Sequence, residues 1–462
     1  MGLPPRQPLF FGVSYLLIKG AYMAQILPAD GSAVKKIRLT SSLFMGLSHI
    51  LYLKEYLKGI LFAALEILFI LCCPAMVQKI GNLITLGSPQ PNLPVKMRDN
   101  SIFMLIDGIL VLSVAALFVV AYILSVKSAE KSYEKYCILK HFPSQKTSLE
   151  SISGTGFPIA GLAPIIVLLV IFVVVPLVFS IAVAFTNYSA PDHMPPAKTV
   201  DWVGMRNFSD LLSGKNNWSR GLGRIALWTL VWAFLSTFTC YFGGLLIAVM
   251  LRESKIKIAN VFRIIYILPY AVPVVITMLV WQNLLNGTFG TVNRTLMAFG
   301  FINKPIPWLG SPLLAQTMCI VINLWAGFGY FMLLSMGTMT AVSNDLFEAA
   351  RIDGASPRQI LRRITVPLVM YQTMPQIIMS FTHNLNNFGI IFFLTGGAPT
   401  TVDSTTTGAG ATDILVTWIY KLTITLLKYN YASVIAVLIF VAIAPFAIIS
   451  FRNTKSYKEG TV

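Results

Sequence analysis

The stretch EAARIDGASPRQILRRITVP, residues 348–367, decides the reading of this chain. It is a charged segment set between two long apolar ones. Gly354 tolerates a positive φ without steric cost, so a turn is expected there. Ser356 then suits an N-cap, Pro357 the first helical position, and Gln359 the partner place of a capping box. The pattern predicts helix, tight turn, helix. Ile360, Leu361 and Ile364 give the second helix an apolar stripe, and Arg358, Arg362 and Arg363 give it positive charge. The small residues Ala349, Ala350, Gly354 and Ala355 let another backbone come close. A helix pair of this character suits a docking surface, although an ordinary positive loop between membrane spans would share its composition.

The surrounding composition is that of a membrane protein. Of 462 residues, 56% are hydrophobic and 11% charged, against about 25% charged in soluble domains. The net charge of +17 raises nucleic-acid binding as a reading. The basic residues fall in alternate connections, however, which matches orientation in a bilayer instead. The five cysteines (Cys72, Cys73, Cys137, Cys240, Cys319) show no metal-ligand spacing. Residues 10–18 are apolar but run into Lys19 without a clear cleavage site, so they are not read as a signal peptide.

A spanning helix needs about 20 mostly apolar residues. Eight candidates lie near 57–76, 102–125, 158–185, 225–251, 262–285, 313–337, 367–394 and 430–451. The chain is therefore expected to be all-α and polytopic, with about eight transmembrane helices. The positive connections are a loop at 126–150 with Lys127, Lys131, Lys135, Lys140 and Lys146, the segment Arg252, Lys255, Lys257 and Arg263, the Arg-rich hairpin, and the tail with Arg452, Lys455 and Lys458. All lie on one side if both termini are cytoplasmic, which gives a multi-pass cell-membrane protein. Residues 1–55 read as an interfacial or disordered cytoplasmic segment, with an amphipathic elbow helix at 49–58. Residues 56–156 read as two accessory spans with a basic loop, and 157–462 as a core of six spans containing the hairpin, 345–367. On the outer side, DILVTWIYKLTI after a Ser/Thr/Gly-rich run reads as an amphipathic surface helix.

Three core spans carry polar or backbone-breaking residues. In the fifth, RIIYILPYAVPVVITMLVWQNLL, Pro269 and Pro273 each remove a backbone donor and predict a kink around Tyr270. Such a break is tolerated where it is packed in protein or lines a cavity. In the sixth, NLWAGFGYFMLL, Gly327 and Gly329 allow close approach, and Trp325, Phe328 and Tyr330 supply aromatic surface; such a stripe is more often packing than a ligand site. In the seventh, SFTHNLNNFGIIFFLTGG, Ser380, His383, Asn384 and Asn387 recur at i, i+3, i+4 and i+7 and share one face, with Asn386 off it. Amides and hydroxyls stranded in lipid are costly. They face either partner helices or a polar cavity suited to a neutral polyhydroxylated solute. Glu66 and Asp107, single acids in the accessory spans, are expected to pair with a neighbouring helix or an interfacial partner rather than to relay protons. No phosphate-binding glycine loop, metal-ligand cluster or nucleophile with a base emerges. The chain is not read as an enzyme, no cofactor is implied, and ATP hydrolysis would belong to a partner.

The hairpin resembles the EAA loop of ABC importer permeases at Glu348, Ala349, Ala350, Asp353, Gly354, Ala355, Ile364 and Pro367, with Val366 where Leu is usual. In that family the loop inserts into the ATP-hydrolysing subunit, which gives Arg358 and Arg362 a docking role beside the acids. Further stretches are similar to the permeases of maltose/maltodextrin importers (MalF-like): FTNY (185–188), VGMRNF (203–208), RIIYILPYAVP (263–273), NGTFGTVN (286–293), LWAGFGY (324–330) and the 395–420 region. The resemblance covers roughly 157–462 and implies the type I ABC importer permease fold. It also implies a second, G-type permease, two ATP-binding subunits and an extracellular sugar-binding protein as partners, with maltose or maltodextrin as substrate. Its sugar-contacting places fall on Tyr270, Val274, Ala326, Gly327, Tyr330, Ser380, His383, Asn384 and Asn387. Val274, Ala326 and His383 depart from the family residue, which leaves trehalose, a galactoside or another oligosaccharide open. The outer loop 188–224 is short compared with the large outer domain of enterobacterial members. An ion-coupled secondary transporter would need inverted repeats and paired core acids, and a sensor would not need the polar face of the seventh span.

Overall fold

In hydrocarbon every backbone polar group must be satisfied within the chain, and a helix does this locally. The computed structural model describes residues 31–139, 157–253 and 258–452. Its regular elements are helices; the only strand-like pairings among the described residues are isolated bridges such as Thr186 with Trp202 and Thr400 with Gly410. The chain divides into two compact units, one of residues 1–179 with 195–199 and one of 180–194 with 200–462.

In the first unit, α1 (Gly31–Leu43) and α2 (Leu47–Leu51) precede the long helices α3 (Tyr56–Thr85) and α4 (Ser101–Leu139). The two long helices form an antiparallel hairpin. Phe69 stacks on Phe118 with ring centroids 3.7 Å apart, and Lys79 pairs with Asp107. Three sequence expectations change here. The loop expected from 126 is helical to Leu139, so Lys127, Lys131 and Lys135 sit on α4. Glu130 and Glu134 are interspersed among them at helix-stabilising separations. The elbow helix expected at 49–58 is instead α2, a break in which Lys54 takes φ 54, and the start of α3. Residues 31–55 are ordered against the hairpin rather than trailing as a tail: Ile37, Leu53 and Ala129 are buried together. Residues 1–30, Lys140 and Lys146 lie outside the described residues.

The third span runs as α5 (Phe157–Leu169), a π-turn (Val170–Val174) and α6 (Val175–Ala184). A second π-turn, Leu361–Thr365, follows the charged hairpin. Each ends two residues before a proline, Pro176 and Pro367. A proline ring clashes with the carbonyl four residues back, and that residue lies inside the π-turn in both cases. The wider turn relieves the clash without breaking the span.

The second unit continues with α7 (Arg206–Leu212), α8 (Asn217–Glu253), α9 (Ala259–Ala271), α10 (Val274–Leu284), α11 (Thr291–Ala298) and α12 (Pro312–Thr340). The hairpin helices α13 (Asn344–Ile352) and α14 (Pro357–Ile360) follow. Then come α15 (Val366–Leu385), α16 (Phe388–Thr395), α17 (Ser404–Thr407), α18 (Leu415–Ile424) and α19 (Tyr429–Arg452). The 37-residue α8 is the central mast, packed on α12 and α15. At Gly244 a Cβ would lie 2.6 Å from the Phe328 carbonyl oxygen, so α8 and α12 meet backbone to backbone. Tyr241 is fully buried and its hydroxyl meets Thr373 Oγ1 at 2.9 Å, tying α8 to α15. Five described helices are long and apolar enough to cross a membrane singly. Two further spans are broken: α9 and α10 meet at 91°, and α15 and α16 at 44°. Helix α19 falls on the last expected segment but its apolar part, Tyr429–Pro445, is shorter, so the described helices give five to seven spans where eight were expected.

Candidate functional site

The first break is built by Pro269 and Pro273, as the sequence predicts. Helix α9 stops at Ala271, Val272 is extended at ψ 135°, and α10 restarts at Val274. The second break follows α15, where Asn386 leaves helical geometry and Asn387 precedes α16. The seventh span is therefore not one continuous helix, and the shared face ends at Asn384. Asn387 reaches the same place from the start of α16, and the bend turns Asn386 toward it as well.

The two breaks and the middle of α12 enclose a cavity of about 980 Å³. Tyr270, Gly327, Tyr330, Ser380, His383, Asn384 and Asn387 all line it, as do Val274 and Ala326. Gly329 faces the other way: a Cβ there would sit 2.4 Å from the Tyr266 carbonyl oxygen, so it is the contact that presses α9 onto α12. Tyr270 and Tyr330 stack with centroids 5.6 Å apart and form an aromatic wall. Asn384 is buried and already engaged, its Nδ2 donating to Thr237 Oγ1 at 3.0 Å. Its Oδ1 accepts from Asn387 Nδ2 at 3.3 Å, and its backbone carbonyl accepts from Trp232 Nε1 at 3.1 Å. It braces the polar face against α8 and aims Asn387.

Sequence reasoning missed Asn323, Gln376 and Thr277, which also line the cavity. Gln376 is four residues before Ser380 and Asn323 four before Gly327, so extending each face by one turn would have found them. Among the described residues, no Asp, Glu, Lys or Arg lines the cavity. Amides, hydroxyls, one imidazole and two stacked phenols offer hydrogen bonds and an apolar platform without net charge.

The hairpin folds as its residues dictate. Ser343 caps α13 by accepting from the Asp345 amide. Gly354 takes φ +75, its amide donates to the Arg351 carbonyl at 3.0 Å, and the Ala355 amide donates to the Ala350 carbonyl at 2.9 Å. That pair of bonds is a Schellman closure, which needs the left-handed residue at Gly354. Ser356 and Gln359 form the expected capping box, with Ser356 N donating to Gln359 Oε1 at 2.7 Å. Glu348, Ala349, Asp353, Gly354, Arg358 and Arg362 are exposed and Ala350 is half-buried. Ile352 is 86% exposed at the tip, an apolar residue presented to whatever meets the hairpin.

The outer segment after α16 is stiffened by buried charge. Arg224 Nη2 holds Asp403 at 2.8 Å, and its Nη1 donates to the Gly410 carbonyl at 2.8 Å. Burial pushes the Asp403 carboxyl up, but hydrogen bonds from Arg224 and Thr401 and the Arg224 charge outweigh it and hold the group below its ordinary value. Asp413, fully buried, accepts from Lys421 Nζ at 2.6 Å and from the Gly410 amide at 2.7 Å. Helix α18 realises the expected amphipathic segment, with Trp418 and Leu422 inward and Ile424 outward.

The family model for the binding-protein-dependent transport system inner membrane component matches residues 241–454. The chain is similar to the galactooligosaccharides transport system permease protein GanP of Bacillus subtilis (strain 168). The two are 35% identical over 426 residues, covering 92% of this chain and 99% of that protein. It is also similar to the maltodextrin transport system permease protein MalC of Streptococcus pneumoniae serotype 4, at 33% identity over 427 residues, 90% of this chain and 95% of that one. Its fold is like that of a chain in the crystal structure of a bacterial ABC transporter involved in the import of the acidic polysaccharide alginate. There the TM-score is 0.52 and the identity 24%, covering 67% of this chain and all of that one.

Proposed function

The chain belongs to the family of binding-protein-dependent transport system inner membrane components, as a MalF-like sugar permease of the cell membrane, and from that premise we propose that it passes a neutral malto-oligosaccharide through the cavity between α9–α10, α12 and α15–α16. It is a transport subunit rather than an enzyme. The observation that carries the substrate class is the lining itself: the nine positions that the resemblance assigns to sugar contact, three of them with departing residues, lie around one cavity of about 980 Å³. The Tyr270 and Tyr330 rings stack on the apolar face of a sugar ring. Ser380, His383 and Asn387 bond its hydroxyls, while Asn384 holds them in place. An acidic polysaccharide would find no Lys or Arg among the described residues there.

Energy comes from partners. A second permease of the G type, two ATP-hydrolysing subunits and an external sugar-binding protein complete the importer. Both termini and the 345–367 hairpin lie on the cytoplasmic side, the side on which the basic connections collect. Glu348, Ala349, Ala350, Asp353 and Gly354, with Arg358 and Arg362, form the surface that an ATPase cleft receives. Closure of the ATPase pair moves the hairpin, and the capped turn transmits that motion into α15, which carries Ser380, His383 and Asn384. Residues 157–462 do this work, and spans one and two are an accessory extension.

A second reading has a specific basis. The similarity to GanP favours a galacto-oligosaccharide over an α-glucan. The experiment is ATP hydrolysis by the reconstituted complex with its binding protein, across maltodextrins and galacto-oligosaccharides. Stimulation by maltodextrins alone supports the first reading, and by galacto-oligosaccharides alone the second. Failure of Glu348→Ala to reduce co-purification of the ATPase would sink the coupling assignment.

A further inference from the structure

The N-terminal helices of the first unit carry a feature that transport leaves unused. Between α1 and α2 the chain reverses over residues 44–46, irregular backbone laid against the first turns of α3. A Cβ at Gly46, whose φ is +79, would sit 2.2 Å from the Gly59 carbonyl oxygen, so the two backbones touch. The Glu66 carboxylate accepts from the Met45 amide, and the Tyr122 hydroxyl donates to the Ser42 carbonyl. Ser48 Oγ donates to the Ile37 carbonyl at 2.8 Å. Glu66 and Tyr122 lie within the apolar stretches of α3 and α4. Both spend their polar atoms on the backbone of a turn, which is what a turn within the hydrocarbon requires.

Depth follows from helix geometry. Glu66 is eight residues past Lys58, about 12 Å along the axis, and its side chain leans back toward the start of α3. The turn therefore sits roughly 5–10 Å beyond the level of Lys58, the depth to which interfacial helices sink. Leu39, Leu43 and Leu51 are 72%, 76% and 58% exposed. Residues 31–58 contain Lys35, Lys36, Arg38, Lys54 and Lys58 against one acid, Glu55, which is buried and already bound by Lys58 at 3.1 Å and by Ser132 at 2.9 Å, while Arg38 is paired with Glu130 on α4. Lys127 and Lys131 are exposed on the same end of α4.

We propose that α1, α2 and their link form a wedge in the bilayer leaflet at the Tyr56 end of α3, with Leu39, Leu43 and Leu51 among the acyl chains and a rim of Lys35 and Lys36 that gathers anionic phospholipid headgroups. Glu66 and Tyr122 are the positioning residues that make the immersed turn tolerable. The spans fix the apolar part at membrane level, and the excess of basic residues selects the charge of the lipid. Each basic residue near a surface favours an anionic lipid by a few-fold.

The test uses the full chain reconstituted in vesicles of equal phosphatidylcholine and phosphatidylglycerol. A fluorescent amino acid placed at position 43 by codon reassignment leaves the native cysteines untouched. Position 70 on α3 is the bilayer reference, and position 402, 99% exposed on the outer segment, the aqueous one. Brominated acyl chains are expected to quench position 43 as they quench position 70, with iodide ineffective. Quenching by iodide to the level of position 402 overturns the wedge. Brominating only one lipid then reads headgroup choice. Phosphatidylglycerol is expected to quench two- to five-fold more than phosphatidylcholine. That preference should vanish in a Lys35→Gln/Lys36→Gln variant that keeps its depth. Equal quenching by both lipids in the unaltered chain overturns the basic rim. None of these readouts depends on which sugar is carried.

Discussion

Gly354 offers a graded test of the coupling role proposed for the hairpin. Its φ of +75 is left-handed, and a Cβ placed on it would meet nothing within 4 Å. A substitution there costs backbone strain alone, with no clash to confuse the result. For an ordinary L-residue that strain is roughly 1–2 kcal/mol, equivalent to a 5- to 30-fold drop in the ratio of closed to open turn. Asn populates the left-handed region more readily, and a β-branched residue least of all. Transport coupled to ATP hydrolysis should therefore rank Gly354, then Asn, then Ala, then Val. Gly354→Ala should lose about 5- to 30-fold if the closed turn is a minority state after substitution. Membrane insertion should be unaltered across the series, because the hairpin is exposed and the spans bury elsewhere. The assay is sugar uptake by vesicles containing the complex, alongside quantitative co-purification of the ATPase. A ranking by side-chain volume, with Asn worse than Ala, would refute the argument, because it would mean that steric fit rather than φ governs the site.

Three other outcomes follow from the geometry. Asn387→Ala and His383→Ala should each raise the sugar concentration for half-maximal uptake by about 2- to 12-fold, the worth of one hydrogen bond, whereas Asn384→Ala should lower the melting temperature too, because Thr237 and Asn387 lose their partner; unchanged melting would show that it is not a brace. Gly410→Ala would put a Cβ 1.9 Å from the Gly397 carbonyl oxygen, so the outer segment should become protease-sensitive in limited digestion while the inner hairpin keeps its native cleavage pattern. Asp403, with its carboxyl held below the ordinary value, contributes stability that is present above pH 3.8 and is lost as pH falls through the lowered folded value; thermal melts should show an acid-side loss that Arg224→Met abolishes, and an identical acid limb in that variant would count against the pair.

The sequence by itself determined where the apolar helices run, because apolar runs of membrane length need no tertiary knowledge. It also determined the 345–367 hairpin to the residue. Gly354, Ser356, Pro357 and Gln359 act through local backbone chemistry, and a turn closed by its own neighbours folds the same way wherever it is put. The proline break in the fifth span was legible for the same reason. The second break was not: Asn386 and Asn387 continue a helical face on paper, and only the bend between α15 and α16 turns both into one cavity. Asn384 read as a ligand contact because its partner Thr237 is 147 positions away, and no local pattern can announce a bond across that distance. Glu66 was expected to have a partner, but only the fold shows that the partner is the Met45 amide of a turn. Local rules fix the elements; what a polar side chain spends its hydrogen bonds on is decided by which distant backbone the packing brings to it.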